Sequence, residues 1–210
     1  MKKKDLLKTK KKRPEDLHEN PLDYFRDETL NQYASSKSMM RIQQKITLRA
    51  MELLNMEKEN ALILDAGSGP GFSSAIIKDL GFNVVSLDLN EKLLNFYKIR
   101  ELNPIVGDIC SLPFRPEVFD GIISISAIQW LLKENKSKFF QDFSRAIKNF
   151  HEILKKNSNL VLQFYPKNEH VLKEMGKIIT DATSFKGNFI IDNVKNPKKR
   201  KIFLLLNKGH

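Results

Sequence analysis

The stretch Leu62-Ile-Leu-Asp-Ala-Gly-Ser-Gly-Pro-Gly-Phe72 constrains the fold more than any other part of the chain. A short apolar run ends in Asp65. Glycines follow at the alternate positions Gly67, Gly69 and Gly71, and an amphipathic segment runs from Phe72 to Leu80. This pattern predicts a buried strand, a tight turn and a helix. Glycine lets the main chain turn sharply and lets a ligand lie against it with no Cβ between them. The helix start offers free N–H groups and a partial positive charge to a carboxylate or phosphate. The loop either holds a nucleotide-like ligand or is a glycine-rich turn and nothing more.

The dinucleotide fingerprint G-x-G-x-x-G, begun at Gly67, needs glycine where this chain has Phe72. The spacing is instead D-x-G-x-G-x-G, which resembles the loop of Rossmann-like methyltransferases that use S-adenosylmethionine. Three further β-type runs support that pattern. Asn83 to Asp88 ends in an acid at the distance where a carboxylate reaches a ribose diol. Pro104 to Asp108 ends in another, placed where the methyltransferase pattern meets the adenine amino group. Phe119 to Ser126 is entered through Asp120. Any one of these acids alone also fits an N-cap or a turn. Together they stand at the carboxyl ends of successive strands, where open α/β sheets bind ligands.

The 210 residues suit one domain. No apolar run approaches the roughly 20 residues of a membrane span. The N-terminus shows no apolar leader core, and a single cysteine, Cys110, suits a reducing cytoplasm. No cysteine–histidine cluster has zinc spacing, so no metal is expected. The formal charge of +11 is uneven: residues 1–13 hold eight basic side chains against Asp5 alone. That segment reads as a basic arm, disordered when free. A second basic cluster, Lys195 to Lys201, surrounds Pro197. Both are either solvated lysine or contacts to nucleic-acid phosphates.

The expected order is a basic arm (1–13), an N-terminal helical lid (14–60) and a core (61–210). The lid contains helices over Leu22–Tyr33 and Ser38–Leu54, the second with Met39, Ile42, Ile46, Met51 and Leu54 at helical spacing. Core helices are expected at about 72–80, 90–101, 135–156 and 168–183. A fifth strand spans Leu160–Phe164, and a hairpin pairs Asn188–Val194 with Lys201–Leu206. Strand–helix alternation implies a mostly parallel sheet with right-handed crossovers. The fold class is α/β: a Rossmann-like, seven-stranded, mostly parallel sheet with helices on both faces and the helical lid over the cleft.

The residues after the fourth strand narrow the acceptor chemistry. Ser124-Ile-Ser-Ala127 stands where enzymes acting on exocyclic amino groups carry (Asn/Asp)-Pro-Pro-(Tyr/Phe). Cys110 follows the third strand and reads as a small apolar residue rather than a nucleophile. Gln129 and Trp130 fall just past the strand end, where an indole stacks a flipped base and an amide bonds its edge, unless Trp130 is simply core. Tyr165, after the fifth strand, is a second stacking surface or a turn residue.

At these residues the chain resembles the guanine-N7 methyltransferases of small-subunit ribosomal RNA, the group of the eukaryotic bud-site-selection and Williams–Beuren-region proteins. The resemblance is carried by Arg13-Pro14-Glu15, Tyr33, the glycine loop and Pro113-Phe114. Phe119 to Trp130, Leu162-Gln-Phe-Tyr-Pro166 and Lys201 to Leu206 complete it. It implies S-adenosylmethionine as donor, an rRNA guanine as acceptor and a role in ribosome maturation. It also implies a small zinc-binding activator protein docked on the edge strand Pro104–Ile109. Small-subunit rRNA would be held by the basic arm and Lys195–Lys201. On this reading Asp65, Gly67, Ser68, Gly69 and Gly71 cradle the methionine part of the donor. Asp88 and Leu89 bind its ribose, and Asp108 and Ile109 its adenine. Tyr33 and Arg41 close over its carboxylate. Ser124, Ser126, Gln129, Trp130 and Tyr165 line the methyl and acceptor side. Guanine N7 has a free lone pair and needs no general base. The competing functions are a small-molecule methyltransferase and a non-catalytic ribosome-assembly factor.

Overall fold

The computed structural model describes residue 7 and residues 12–96, 102–132 and 137–209. Most of the expected basic arm lies outside the described residues, as do residues 97–101; the helix expected over 90–101 stops at Leu94, where Asn95 caps it. Seven strands form one sheet: β1 (Leu62–Ala66), β2 (Asn83–Asp88), β3 (Pro104–Val106), β4 (Phe119–Ile125), β5 (Leu154–Phe164), β6 (Lys186–Asp192) and β7 (Lys201–Asn207). Their order is β3-β2-β1-β4-β5-β7-β6. The first five run parallel, and β7 is antiparallel to both β5 and β6. The expected α/β fold class is the fold observed.

Among the described residues, four helices precede the sheet: α1 (Pro14–Leu17), α2 (Pro21–Tyr24), α3 (Asp27–Ala34) and α4 (Lys37–Leu54). Four lie between strands: α5 (Phe72–Asp79), α6 (Glu91–Leu94), α7 (Ser137–Ile153) and α8 (Glu169–Ala182). A parallel sheet is covered on both faces, and its strands are apolar throughout. Here every residue of β4 is buried. Side chains alternate between the faces. Ile63, Ile123, Val161 and Phe203 pack with Ile46, Ala50 and Leu54 of α4. Leu64, Ile122, Leu160 and Leu204 pack with Phe143, Ile147 and Phe150 of α7.

Three local expectations change. The helix expected over Leu22–Tyr33 is two helices, broken where Arg26 is extended and Asp27 has φ +50°. The break lets the Phe25 ring sit 5.0 Å from Tyr33 and 6.0 Å from Trp130. In α4 the buried stripe is Gln43, Ile46, Thr47, Ala50, Met51 and Leu54, while Ile42 faces solvent. The Thr47 hydroxyl donates to the Gln43 carbonyl, which satisfies a polar side chain inside the stripe. The helix expected to end at residue 156 stops at Ile153, and β5 begins at once with Leu154 paired to Phe119. The register then shifts, so that Gly121 faces Asn159. The polar run from Lys155 therefore belongs to an irregular strand end. Lys155 and Lys58 both donate to Asp120 there, at 2.9 and 2.8 Å. Burial raises the Asp120 pKa, but Lys58, the Leu62 N–H and Lys155 outweigh it and leave it at about 2.

Candidate active site

The carboxyl ends of β1, β2 and β4 open into a pocket of ≈440 Å³, and α2, α3 and the break between them cover one side of it with Leu22, Tyr33 and Phe25. That volume is within the range of small-ligand sites. Its position is the one an open parallel sheet offers.

The glycine loop forms the floor. The Gly67 and Ser68 N–H groups both donate to the Leu87 carbonyl, at 2.7 and 3.0 Å, which stitches the loop to β2. Gly67 has φ +81°, and a Cβ there would stand 2.3 Å from the Cβ of Ala127. Glycine is therefore required twice over, by the backbone angle and by the approach of the turn after β4. The Gly69 N–H donates to Asp88 Oδ2 at 2.7 Å, and the Asn90 N–H to Asp88 Oδ1 at 2.8 Å. Burial raises the Asp88 pKa, and these two N–H bonds oppose the rise. Asp88 faces the pocket beside Tyr33. Burial first, and the Asp88 charge second, push the Tyr33 phenol up to about 12, so it stays protonated and able to donate.

Past the end of β3, Asp108 Oδ1 accepts from the Cys110 N–H at 2.8 Å, which holds the Ile109 turn. Burial, then the Asp108 charge, push the Cys110 thiol up to about 12, which agrees with an unreactive cysteine. Just past β4, Ser126 adopts φ +57°, rare for a non-glycine residue. Its N–H donates to the Gln163 carbonyl at 2.9 Å and its hydroxyl to Gln163 Oε1 at 2.8 Å. These two bonds hold the bend that turns the chain from β4 into the 3₁₀ turn Ile128–Leu131. Trp130, on that turn, lines the pocket and lies 6.1 Å from Tyr24 and 6.0 Å from Phe25.

The pocket thus gathers Tyr33, Gly67, Gly69, Asp88, Leu89, Asp108, Ile109, Ser126 and Trp130. Seven other residues expected at the site do not line it. Asp65 is fully buried below the loop, where Oδ2 accepts from Ser73 at 2.5 Å and Ser74 at 2.6 Å and ties β1 to the first turn of α5. Burial pushes its carboxyl up to about 6, against the two serine bonds. Ser68 is buried beneath the loop, and Gly71 is the N-cap of α5 with φ +81°. Arg41 is exposed on α4. Ser124 is buried and donates to the Ala66 carbonyl at 2.7 Å, bridging β4 to β1. Gln129 is buried, and its Oε1 has no hydrogen-bond partner among the described residues. Tyr165 stands outside the pocket, with the Arg13 guanidinium carbon 5.6 Å and the Lys201 ammonium 5.1 Å from its ring centroid. Sequence reasoning missed Phe25 and the α7 pair Asp142–Arg145, all of which line the pocket. The Asn20-Pro21 helix start was a usable signal for the segment that carries Phe25.

Comparison with known proteins agrees with this geometry. Residues 64–162 match a family model described as a methyltransferase domain. An 18S rRNA (guanine(1575)-N(7))-methyltransferase of Saccharomyces cerevisiae is 35% identical over 208 residues, covering 94% of this chain and 73% of its own. The chain belongs to the rRNA guanine-N7 methyltransferase family. The Schizosaccharomyces pombe member bud23 is 32% identical over 199 residues, with 90% of this chain and 72% of that protein covered. A TehB-like SAM-dependent methyltransferase from Corynebacterium glutamicum shares the fold, with TM-score 0.63, 17% identity and coverage of 90% of this chain and 100% of that one. Family membership makes this chain a SAM-dependent methyltransferase. Its own residues fit that donor: the loop offers a floor free of Cβ atoms, and a carboxylate stands beside it in the pocket.

Proposed function

We propose that the chain methylates N7 of a guanine in small-subunit ribosomal RNA during ribosome maturation. When bound, S-adenosylmethionine supplies an electrophilic methyl group on a sulfonium. Gly67 and Gly69 let the donor lie against the main chain, Asp88 holds its ribose, and the Asp108–Ile109 turn borders its adenine. Tyr33 stays protonated and closes the loop side. Ser126 and Trp130 mark the acceptor side, where the indole orients the guanine so that its lone pair faces the methyl carbon. Positioning and exclusion of water are the main catalytic needs of such a displacement.

One observation carries this reading: the glycine floor, Asp88 and Trp130 share one pocket in a chain whose relatives are rRNA guanine-N7 methyltransferases. Guanine N7 has a free lone pair, so the carboxylates that line the pocket, Glu19, Asp88, Asp108 and Asp142, are not needed as a general base. The reading places the protein in the cytoplasm, at ribosome assembly. Among the described residues, no helix is long and apolar enough to cross a membrane. A small zinc-binding activator would add a strand at β3, which is short, lies at the sheet edge and leaves Val106 54% exposed.

The test is transfer from labelled donor to intact small ribosomal subunits, to ribonuclease-treated subunits and to a panel of small metabolites. Label held by intact subunits and lost with the RNA supports the proposal. Label on a metabolite, with none on RNA, overturns it.

A further inference from the structure

The two basic clusters stand at opposite ends of the sequence and meet at one aromatic residue in the fold. Tyr165 follows β5, which runs beside β4, the strand that ends just before Ser126; Ile125 pairs with Gln163. Arg13 donates from Nη1 to the Tyr165 carbonyl, and its guanidinium lies over the Tyr165 ring together with the Lys201 ammonium. A cation over an aromatic face is attracted by the ring and keeps its full charge. β7 runs antiparallel to β5, with Ile202 opposite Phe164. The loop before Lys201 therefore projects past the carboxyl ends of the parallel strands, on the edge that carries Gly67 and Ser126. That loop holds Lys195, Lys198, Lys199 and Arg200 with no acid among residues 193–201.

Three acids on this side each stand against a cation, so the excess charge comes from the Lys195–Lys201 loop. Asp192 pairs with Arg49 at 3.1 Å, Asp16 lies 3.9 Å from Lys167, and Glu15 lies 3.9 Å from Arg13. The surface therefore keeps a positive excess beside the pocket. A basic loop and two ring-anchored cations on one edge match the positively charged groove by which proteins track the backbone of a nucleic-acid strand.

We propose that Arg13, Tyr165, Lys201 and the Lys195–Arg200 loop form one track for the sugar-phosphate backbone of single-stranded RNA, leading to the pocket mouth. This rests on the RNA reading above. It also revises the role expected of Tyr165, which anchors cations beside the pocket rather than stacking a base within it.

The test titrates the full chain with a single-stranded oligouridylate between about 50 and 200 mM salt. Each phosphate neutralised on a single strand contributes roughly 0.7 to the salt slope. Lys198→Glu/Lys199→Glu should lower the slope by about 1.4, so the rise in salt costs the wild type about sevenfold more affinity than the variant. The control is Lys148→Glu/Lys186→Glu, an equal charge change on exposed positions near the end of α7 and the start of β6, toward the opposite edge. It should leave the slope unchanged. Calorimetry with S-adenosylhomocysteine should give wild-type affinity for both variants, which confirms that they are folded. Equal slope changes in both variants, or none in the first, overturn the track. In that case methyl transfer by the wild type to small-subunit RNA leaves the functional reading standing. A wild type that neither binds oligouridylate nor methylates RNA overturns both.

Discussion

Gly67→Ala tests the joint between the two halves of the pocket. The substitution places an L side chain at φ +81°, which costs about 1–2 kcal/mol. The new Cβ would stand 2.3 Å from the Ala127 Cβ, where ordinary contact begins near 3.4 Å. Neither atom is the end of a flexible side chain, so the loop and the turn after β4 must part by about 1 Å in a close-packed region. Overpacking of that kind costs about 1–3 kcal/mol. The loop cannot retreat without breaking the Gly67 and Ser68 bonds to the Leu87 carbonyl. The turn therefore yields, and it carries Ser126 and Trp130. Gly67→Ala should lose roughly 2–5 kcal/mol, out of a typical total of about 5–15 kcal/mol. Adding Ala127→Gly removes the collision but not the backbone penalty, so the double variant should recover about 1–3 kcal/mol. Urea unfolding of the four proteins gives the coupling energy, and calorimetry with S-adenosylhomocysteine shows whether the floor recovers with it. Effects of the two substitutions that add within about 0.5 kcal/mol would refute the collision.

Three further outcomes are expected. Asp88→Ala should weaken donor binding by about 1–3 kcal/mol, the cost of losing hydrogen bonds to a charged group, and unchanged calorimetric affinity would remove Asp88 from the site. Ser126→Ala keeps the φ +57° backbone and loses the Gln163 bond, so it should cost about 1 kcal/mol. Ser126→Gly loses the same bond but gains about as much from the relieved backbone, so a thermal melt should show it near wild type. Asp65 titrates at about 6 when folded, above its ordinary 3.8. Between those values the folded state holds a proton that the unfolded state has released, so stability falls as pH rises from about 4 to 6 and is constant beyond. The contribution is roughly 3 kcal/mol. Asp65→Asn should flatten that part of the curve in urea titrations at stepped pH, and an unchanged slope would contradict the burial of a neutral carboxyl.

The glycine loop was legible because its chemistry is local: alternate glycines after an apolar run ending in an acid admit few backbone paths. Asp88 and Asp108 were legible because strand ends in a parallel sheet converge. Asp65, Ser124 and Gln129 misled because sequence adjacency to a pocket does not tell inward from outward. Asp65 points down to Ser73 and Ser74, and Ser124 points across to the Ala66 carbonyl. Ser124 lies inside β4, whereas the bend at Ser126 carries the later residue out of the strand to the pocket side. Ile42 misled for another reason: the α4 stripe was read from apolar residues alone, and buried Gln43 and Thr47 shift its centre. Phe25 and Arg145 come from elements far apart in sequence, and only the folded chain brings them together.

The most direct measurement is nucleoside analysis of small ribosomal subunits, taken from cells lacking this chain, after incubation with the protein and labelled S-adenosylmethionine. A parallel sample contains a small zinc-binding activator. The account predicts label in 7-methylguanosine in at least one of the two samples. Label in any other nucleoside would contradict it, as would none in either sample from a protein that binds the donor.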